Sequence, residues 1–494
     1  MRGALAPVAL HLLILLGGLG LLRAGRVVPS LWSVRALAAG GLAYLCGLAV
    51  TLTLSILLLV AGGPFNIATF AGICVLLASP LILDLRELAS RTIKLPEWRA
   101  SPRAWWEQAP LERRLAVLTV VAFALIGVVG LLTLSGQPID REAGFDTWNL
   151  WVRKANLMFF GSHLPTAIFR SHAEGYIQAY YPIGYPLLLA AHMRAIGLYE
   201  TSTVHVVVWV LLLAFVWGGA FLASQVTRPL VWSSLLPGAV FLVYGQASSG
   251  YADIPVAIFL GLGVLATGIW LQRQRRTDLW VACLLLAGAV QFKNEGFVGA
   301  MIIMLVAGIC LLVWRRLSAI RELAIGGGTV VVLAILPWRL WLMANHIHGD
   351  HSLGETLNPG YLSDHFNRVW PSLRALEAQI TNQSSTSGLI VIALVLALLR
   401  IRGRVRSPLA GFYLGVGLLY FLTLLAAYWT TPFGDSGLSF YIQTTVFRVV
   451  SGGLGFICVA AILQLSAVEG VVPTPELEEL VDSSRASPSP ISPS

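Results

Sequence analysis

The chain has 494 residues, 57% of them hydrophobic and only 12% charged, with a mean hydropathy of +0.77. Soluble domains carry roughly 25% charged residues, so a water-soluble fold is excluded and most of the surface must face lipid. The net charge of +9 does not indicate nucleic acid, because the basic residues stand in short clusters between apolar runs, the pattern of topology signals rather than of phosphate contacts.

The chain opens with Arg2 and an apolar run over 4–22 that lacks a small-residue cleavage site, and it reads as a first span. A crossing helix needs about 20 apolar residues. Lipid offers the backbone no hydrogen-bond partner, so each span must be helical. Candidate spans cover 6–22, 36–61, 66–83, 113–134, 203–224, 229–246 and 252–272. Further along they cover 278–292, 296–314, 322–341, 388–400, 408–428 and 446–465. The stretch 183–198 is shorter, contains His192 and Arg194, and breaks the alternation of sides. It is expected to be a half-span or re-entrant helix on the outer side. The fold class that follows is an all-α polytopic membrane protein with about 13 to 14 transmembrane helices. Cys46, Cys74, Cys283, Cys310 and Cys458 lie inside apolar runs and read as small buried hydrophobes.

Arginines fill alternate connections: Arg23, Arg26 and Arg35; Arg86, Arg91, Arg99, Arg103, Arg113 and Arg114 with Lys94; then Arg273, Arg275 and Arg276. Arg315, Arg316 and Arg321 follow, then Arg400, Arg402, Arg404 and Arg406. Placing these in the cytoplasm leaves 136–182, 248–251, 293–295, 345–387 and 430–444 on the outer face. The segment 466–494 is polar and acidic and ends in a Ser/Pro run, the composition of a disordered cytoplasmic tail.

The polar clusters at that outer face carry the chemistry. After Asp140, Arg141 and Glu142 comes Asp146, followed by Trp148, Trp151, Ala155, Met158 and Phe159 at helical spacing. Asn149, Arg153 and Asn156 occupy the opposite face, which predicts an amphipathic juxtamembrane helix with its tryptophans at headgroup level. Asp146 stands where it either caps that helix or takes a proton from an acceptor hydroxyl. Tyr180, Tyr181 and Tyr185, interleaved with Pro182 and Pro186, form an aromatic belt or line a groove for a lipid-linked substrate. Asp253 opens a span, where a helix N-terminus favours an acid. Lys293-Asn294-Glu295 interrupts an apolar run, and mid-membrane charge costs about 2.5–3.5 kcal/mol, so a polar site is favoured over a plain turn. Arg339 and Arg448 lie at outer span ends, against the cytoplasmic preference of arginine. They either snorkel to headgroups or clamp a phosphate.

The order of these motifs resembles the GT-C superfamily of membrane glycosyltransferases, which includes protein O-mannosyltransferases and aminoarabinose transferases. The resemblance rests on Phe145-Asp146-Thr147-Trp148, Tyr181-Pro182-Ile183-Gly184-Tyr185-Pro186, Tyr251-Ala252-Asp253-Ile254-Pro255, Lys293-Asn294-Glu295-Gly296, Leu336-Pro337-Trp338, and Thr431-Pro432 followed by Arg448. It covers roughly Val117 to Leu465. It implies a GT-C-type fold in which 113–465 is catalytic, 1–112 holds accessory helices with a basic loop, and 466–494 is the tail. It further implies that Asp146 is the base that activates an acceptor hydroxyl. That hydroxyl attacks the anomeric carbon with inversion, and polyprenyl phosphate departs. Lys293, Arg339 and Arg448 would neutralise the leaving phosphate, with Lys154 a weaker candidate. Tyr181, Tyr185, Asp253 and Glu295 join the substrate-binding set.

The resemblance departs at Phe440-Tyr441, where relatives often carry a histidine, and in the three extra spans before Arg113. Oligosaccharyltransferases of this superfamily use a divalent cation, whereas monophosphate-donor relatives generally need none; no dense carboxylate cluster is present and no metal is expected. The expected partners are a polyprenyl-phosphate sugar donor, a lipid, glycan or protein acceptor, and membrane lipids, in a bacterial inner membrane with the site facing outward. The alternatives are a transporter or flippase of lipid-linked glycan intermediates, which calls for polar groups at the midplane, and a non-catalytic scaffold.

Overall fold

The computed structural model describes residues 2–31, 33–84, 110–134, 146–170, 178–247, 249–347, 358–402, 408–430 and 435–466. The basic residues over 86–103, the acidic start of the first outer loop (Asp140, Arg141, Glu142), Phe145, Arg404, Arg406, Thr431-Pro432 and the tail from 467 lie outside them.

Every described element is helical, as lipid demands of a spanning chain. The helices are α1 (Arg2–Ala24), α2 (Gly40–Val60), α3 (Ile67–Ala78), α4 (Leu111–Leu134), α5 (Arg153–Phe160) and α6 (Gly184–Ile196). Then come α7 (Thr203–Ala223), α8 (Pro229–Ala247), α9 (Asp253–Arg273), α10 (Arg276–Phe292) and α11 (Asn294–Val313). A continuous helical run, α12, covers Leu317–Ala344. The last are α13 (Val369–Asn382), α14 (Ser384–Arg402), α15 (Pro408–Trp429), α16 (Asp435–Val449) and α17 (Gly455–Leu465).

Among the described residues ten helices are long and apolar enough to cross a membrane, so the chain is an all-α polytopic membrane protein. The other three expected spans, 66–83, 229–246 and 278–292, are also helical but form shorter helices or apolar stretches. The expected outer loop 430–444 is largely helix: α16 begins at Asp435 and runs through a π-helical segment, Val450–Leu454, into α17. The stretch 183–198 forms α6, whose 13 residues extend about 20 Å, short of the roughly 30 Å hydrocarbon core. Its residues from Gly184 to Met193 are buried in protein.

Helix α9 is buried along its whole apolar length and forms the axis of the bundle, while α4 and α14 leave most of theirs exposed at the perimeter. The N-terminal helices are built into this bundle. At Gly41 an added Cβ would lie 2.4 Å from the backbone nitrogen of Gly218, so the two glycines let α2 and α7 approach to backbone contact. Gln291 of α10 donates to the Ala49 carbonyl of α2 at 3.0 Å. All five cysteines are buried and free.

The arginine connections and the polar motifs sort to opposite ends. At one end Arg273 donates to Gln225, Arg316 to the Leu271 carbonyl, and Arg400 to the Leu465 carbonyl. Helix α9 runs from there to Asp253, 21 residues or about 30 Å away, where the candidate site lies.

Candidate functional site

Five elements bring charge to this end of the bundle. Asp146 immediately precedes a π-helical segment, Thr147–Val152, that leads into α5. Its side chain makes no cap hydrogen bond. The carboxylate instead accepts from Arg448 of α16, Nη1 to Oδ2, at 2.5 Å. The same Nη1 lies 3.8 Å from Asp253 Oδ2. Asp253 opens α9, and its other oxygen accepts from Lys293 Nζ at 3.0 Å. Lys293 also pairs with Glu295 at 3.0 Å.

A single extended residue, Lys293, separates α10 from α11. The Lys293-Asn294-Glu295 interruption is therefore both a helix break and a charge centre. Burial works against the Lys293 ammonium, but Asp253 and Glu295 outweigh it and raise its pKa. Its side chain is only 8% exposed, so its charge is tolerable only because the two acids face it. Arg448 is buried too, and its guanidinium carbon lies 4.2 Å from the Tyr251 ring centroid, a cation–π contact. Arg339 donates to Asn294 Oδ1 at 2.6 Å and to the Tyr180 carbonyl at 3.5 Å.

The network thus joins three acids, Asp146, Asp253 and Glu295, to two bases, Lys293 and Arg448, with Arg339 one residue away through Asn294. It retains unused hydrogen-bonding capacity. Arg448 Nε and Glu295 Oε2 are buried without a partner among the described residues. Leaving such a group unsatisfied costs about 1–3 kcal/mol, so a polar ligand that reached them would be favoured. No group of three His, Cys, Asp or Glu among the described residues is arranged to hold a metal ion.

The backbone around the network is held by two hydroxyls. Thr147 Oγ1 donates to the Ser249 carbonyl at 2.6 Å, and Tyr185 donates to the Gly250 carbonyl at 3.0 Å. Both bonds pin the turn between α8 and α9. Gly250 has φ +67°, and a Cβ there would stand 2.1 Å from Val204 Cγ1, so glycine is required. Tyr185 is fully buried and serves this turn, correcting the expectation that it faces a groove. Tyr181 is half-buried and stacked on Tyr180, with ring centroids 4.9 Å apart.

Two further expectations need correction. Trp151 does not face out of the protein: it is 1% exposed and packs edge-on against Tyr181 and Tyr185. The apolar face of α5 meets protein because α6 lies under it. Lys154 does not join the charge network. It is fully buried, donates to the Gln178 carbonyl at 2.8 Å, and lies 5.5 and 5.9 Å from the rings of Trp151 and Tyr181. Burial pulls its pKa down to about 7.

Sequence reasoning passed over Tyr251, Asn294 and Thr147 as site residues. Tyr251 and Asn294 stand directly beside the named acids and bases, which was the available signal. It also passed over two of the three described π-helical segments, one beginning just after Asp146 and one two residues after Arg448; such segments occur often at functional sites.

Comparison with known proteins returns no matching family model, no matching curated protein and no matching solved structure.

Proposed function

We propose that this protein is a glycosyltransferase of the GT-C type, which moves a sugar from a polyprenyl-phosphate donor to an acceptor hydroxyl at the outer face of the membrane. The observation that carries the reading is the meeting of Asp146 with Arg448, and of Asp253 with Lys293, at one end of the bundle. A carboxylate suited to accept a proton there lies beside cations suited to hold a phosphate.

The reaction assigned to this geometry is a single displacement. The acceptor O–H gives its proton to Asp146 as its oxygen bonds to the anomeric carbon. The bond from that carbon to the phosphate oxygen breaks on the opposite face, and its electron pair leaves with the phosphate. Arg448, Lys293 and Arg339 stabilise the charge that develops there. A planar guanidinium binds phosphate through two parallel hydrogen bonds, and Arg448 Nε stands unpaired for one of them.

Arg448 holds one oxygen of Asp146 in an ion pair, which keeps that oxygen from an acceptor hydroxyl. An arriving phosphate competes for Arg448 and frees Asp146. Donor binding therefore precedes activation of the acceptor, which limits loss of the sugar to water.

The test is to give the purified protein a panel of polyprenyl-phosphate sugars with membrane glycan, lipid and protein acceptors. Transfer with release of polyprenyl phosphate is expected. Movement of a lipid-linked sugar between leaflets without any covalent change would replace this reading with a flippase.

A further inference from the structure

The opposite end of the bundle holds a second charged feature that the transfer reaction does not use. A cavity of about 150 Å³ opens there between α1, α2, α7, α9 and α10. Arg26, Arg35 and Arg275 line it, with Gln225 and Thr277, and Asp278 is the one acid among its lining residues. Apolar side chains, Leu42, Leu222 and Ile269 among them, also line it. Three guanidinium groups thus face one carboxylate.

The neighbouring contacts leave these arginines available. Arg273 is occupied by Gln225, which it holds through Nη1 and Nη2 at 2.6 and 2.8 Å. Arg26, Arg35 and Arg275 are exposed, and no ion pair or hydrogen bond among the described residues engages their side chains. Arg35 rests against the Phe221 ring, 6.0 Å from its centroid. Asp278 lies in the field of Arg273, Arg275 and Arg35, and its Oδ2 is buried without a hydrogen-bond partner among the described residues, so one carboxylate is shared among several guanidinium groups and the cluster keeps a net positive charge.

The last described residue lies at this same corner. Ser466 Oγ is 3.3 Å from Thr227 Oγ1, two residues beyond Gln225 on the turn that follows α7. The sequence after it is the most acidic stretch of the chain: Glu469, Glu476, Glu478, Glu479 and Asp482 stand against Arg485 alone. Glu469 is three residues from Ser466, and Glu476 ten. An extended chain covers about 3.3–3.6 Å per residue, so both fall within reach of the cavity.

We propose that the segment 469–482 of this chain docks on the arginine-lined cavity. Tethering gives such a segment a millimolar effective concentration, so weak exposed ion pairs suffice to hold it. Its glutamates neutralise Arg26, Arg35 and Arg275, and Leu477 and Leu480 meet the apolar side chains of the lining. The contact clamps the turn after α7 to the connections α1–α2 and α9–α10. Because the charges are exposed, docking weakens as salt rises above the physiological range, where the screening length falls below about 8 Å.

The experiment places a photo-crosslinking benzoylphenylalanine at position 477 of the full chain in detergent. The crosslinked peptides are then mapped. Crosslinks to peptides carrying Arg26–Arg35 or Arg275 are expected. Their yield should fall about tenfold when Arg26, Arg35 and Arg275 are all changed to Glu, since three exposed pairs together carry about that preference. It should return when Glu476, Glu478 and Glu479 are changed to Lys in the same chain. An Arg→Gln triple, milder for folding, should show the loss without the rescue. Crosslinks elsewhere, or a yield indifferent to the arginines, would overturn the proposal. So would an anionic phospholipid that co-purifies with the wild-type chain and with the Glu→Lys variant but is lost from the Arg variants, because the cavity would then belong to lipid.

Discussion

Asp146 and Arg448 stand 302 residues apart in the sequence and meet at 2.5 Å. Asp146 leads into the π-helical segment before α5, and Arg448 lies midway along the helical run from Asp435 to Leu465. Their contact closes the bundle at the candidate site and joins the proposed base to the proposed phosphate clamp.

The pair should be energetically coupled. Arg448→Gln leaves Asp146 and Asp253 facing no guanidinium, and its melting temperature should fall more than that of Asp146→Asn. The double variant should recover part of the loss, with a coupling of about 1–3 kcal/mol for residues in direct contact. A thermal-denaturation cycle over the four proteins measures it. Additive losses would mean that the two side chains do not interact in the membrane-embedded protein.

Lys293 should matter more to stability than either acid it holds. Lys293→Met removes the cation that Asp253 and Glu295 share and leaves Asp253 only the longer 3.8 Å contact with Arg448; breaking a buried pair costs about 3–5 kcal/mol. Asp253→Asn still leaves the pair of Lys293 with Glu295 at 3.0 Å. The expected order of melting temperatures is wild type, then Asp253→Asn, then Lys293→Met. The reverse order of the two variants would show that Lys293 is not the hub.

Lys154 supplies a pH dependence with a definite sign. Burial lowers its pKa from 10.5 to about 7 in the folded chain. Between those values the unfolded chain binds more protons, so stability rises with pH across the window, and the penalty is complete below about pH 7. Lys154→Met removes this titration. The wild-type melting temperature should therefore gain on that of the variant between about pH 6 and about pH 10. A constant difference across that range would show that Lys154 stays charged, held by the rings of Trp151 and Tyr181.

Gly250 should resist substitution. At φ +67° an L-residue costs about 1–2 kcal/mol, and its Cβ would collide with Val204. Gly250→Ala should lower donor affinity by moving Tyr251 and Asp253, measured by titration with the polyprenyl-phosphate sugar. Val204→Ala added to it should restore part of that affinity by removing the collision. Unchanged affinity in Gly250→Ala would separate this turn from the site.

The spans were legible because lipid imposes one rule on every crossing segment; all thirteen expected spans fall on helices, and ten helices among the described residues are long and apolar enough to cross. Lys293, Asp253 and Arg448 were legible because each carries charge where apolar sequence was due. The partner of each was not, since no local pattern records that α16 returns to the loop before α5. Trp151 was misplaced for a related reason: helical spacing marks an apolar face, but lipid and protein interior satisfy that face equally, and only the position of α6 decides between them. Lys154 was assigned by its neighbours in sequence, whereas its contact is the carbonyl of Gln178. The arginines around the second cavity were read as topology signals, and their convergence depends on how two separate connections pack.

The central claim is tested most directly by sugar transfer from a polyprenyl-phosphate donor by the Asp146→Asn protein. The purified variant should remain folded, retain donor binding through Arg448 and Lys293, and lose transfer by at least about a hundredfold, the lower range for a positioned general base. Wild-type transfer rates in that variant would contradict the account.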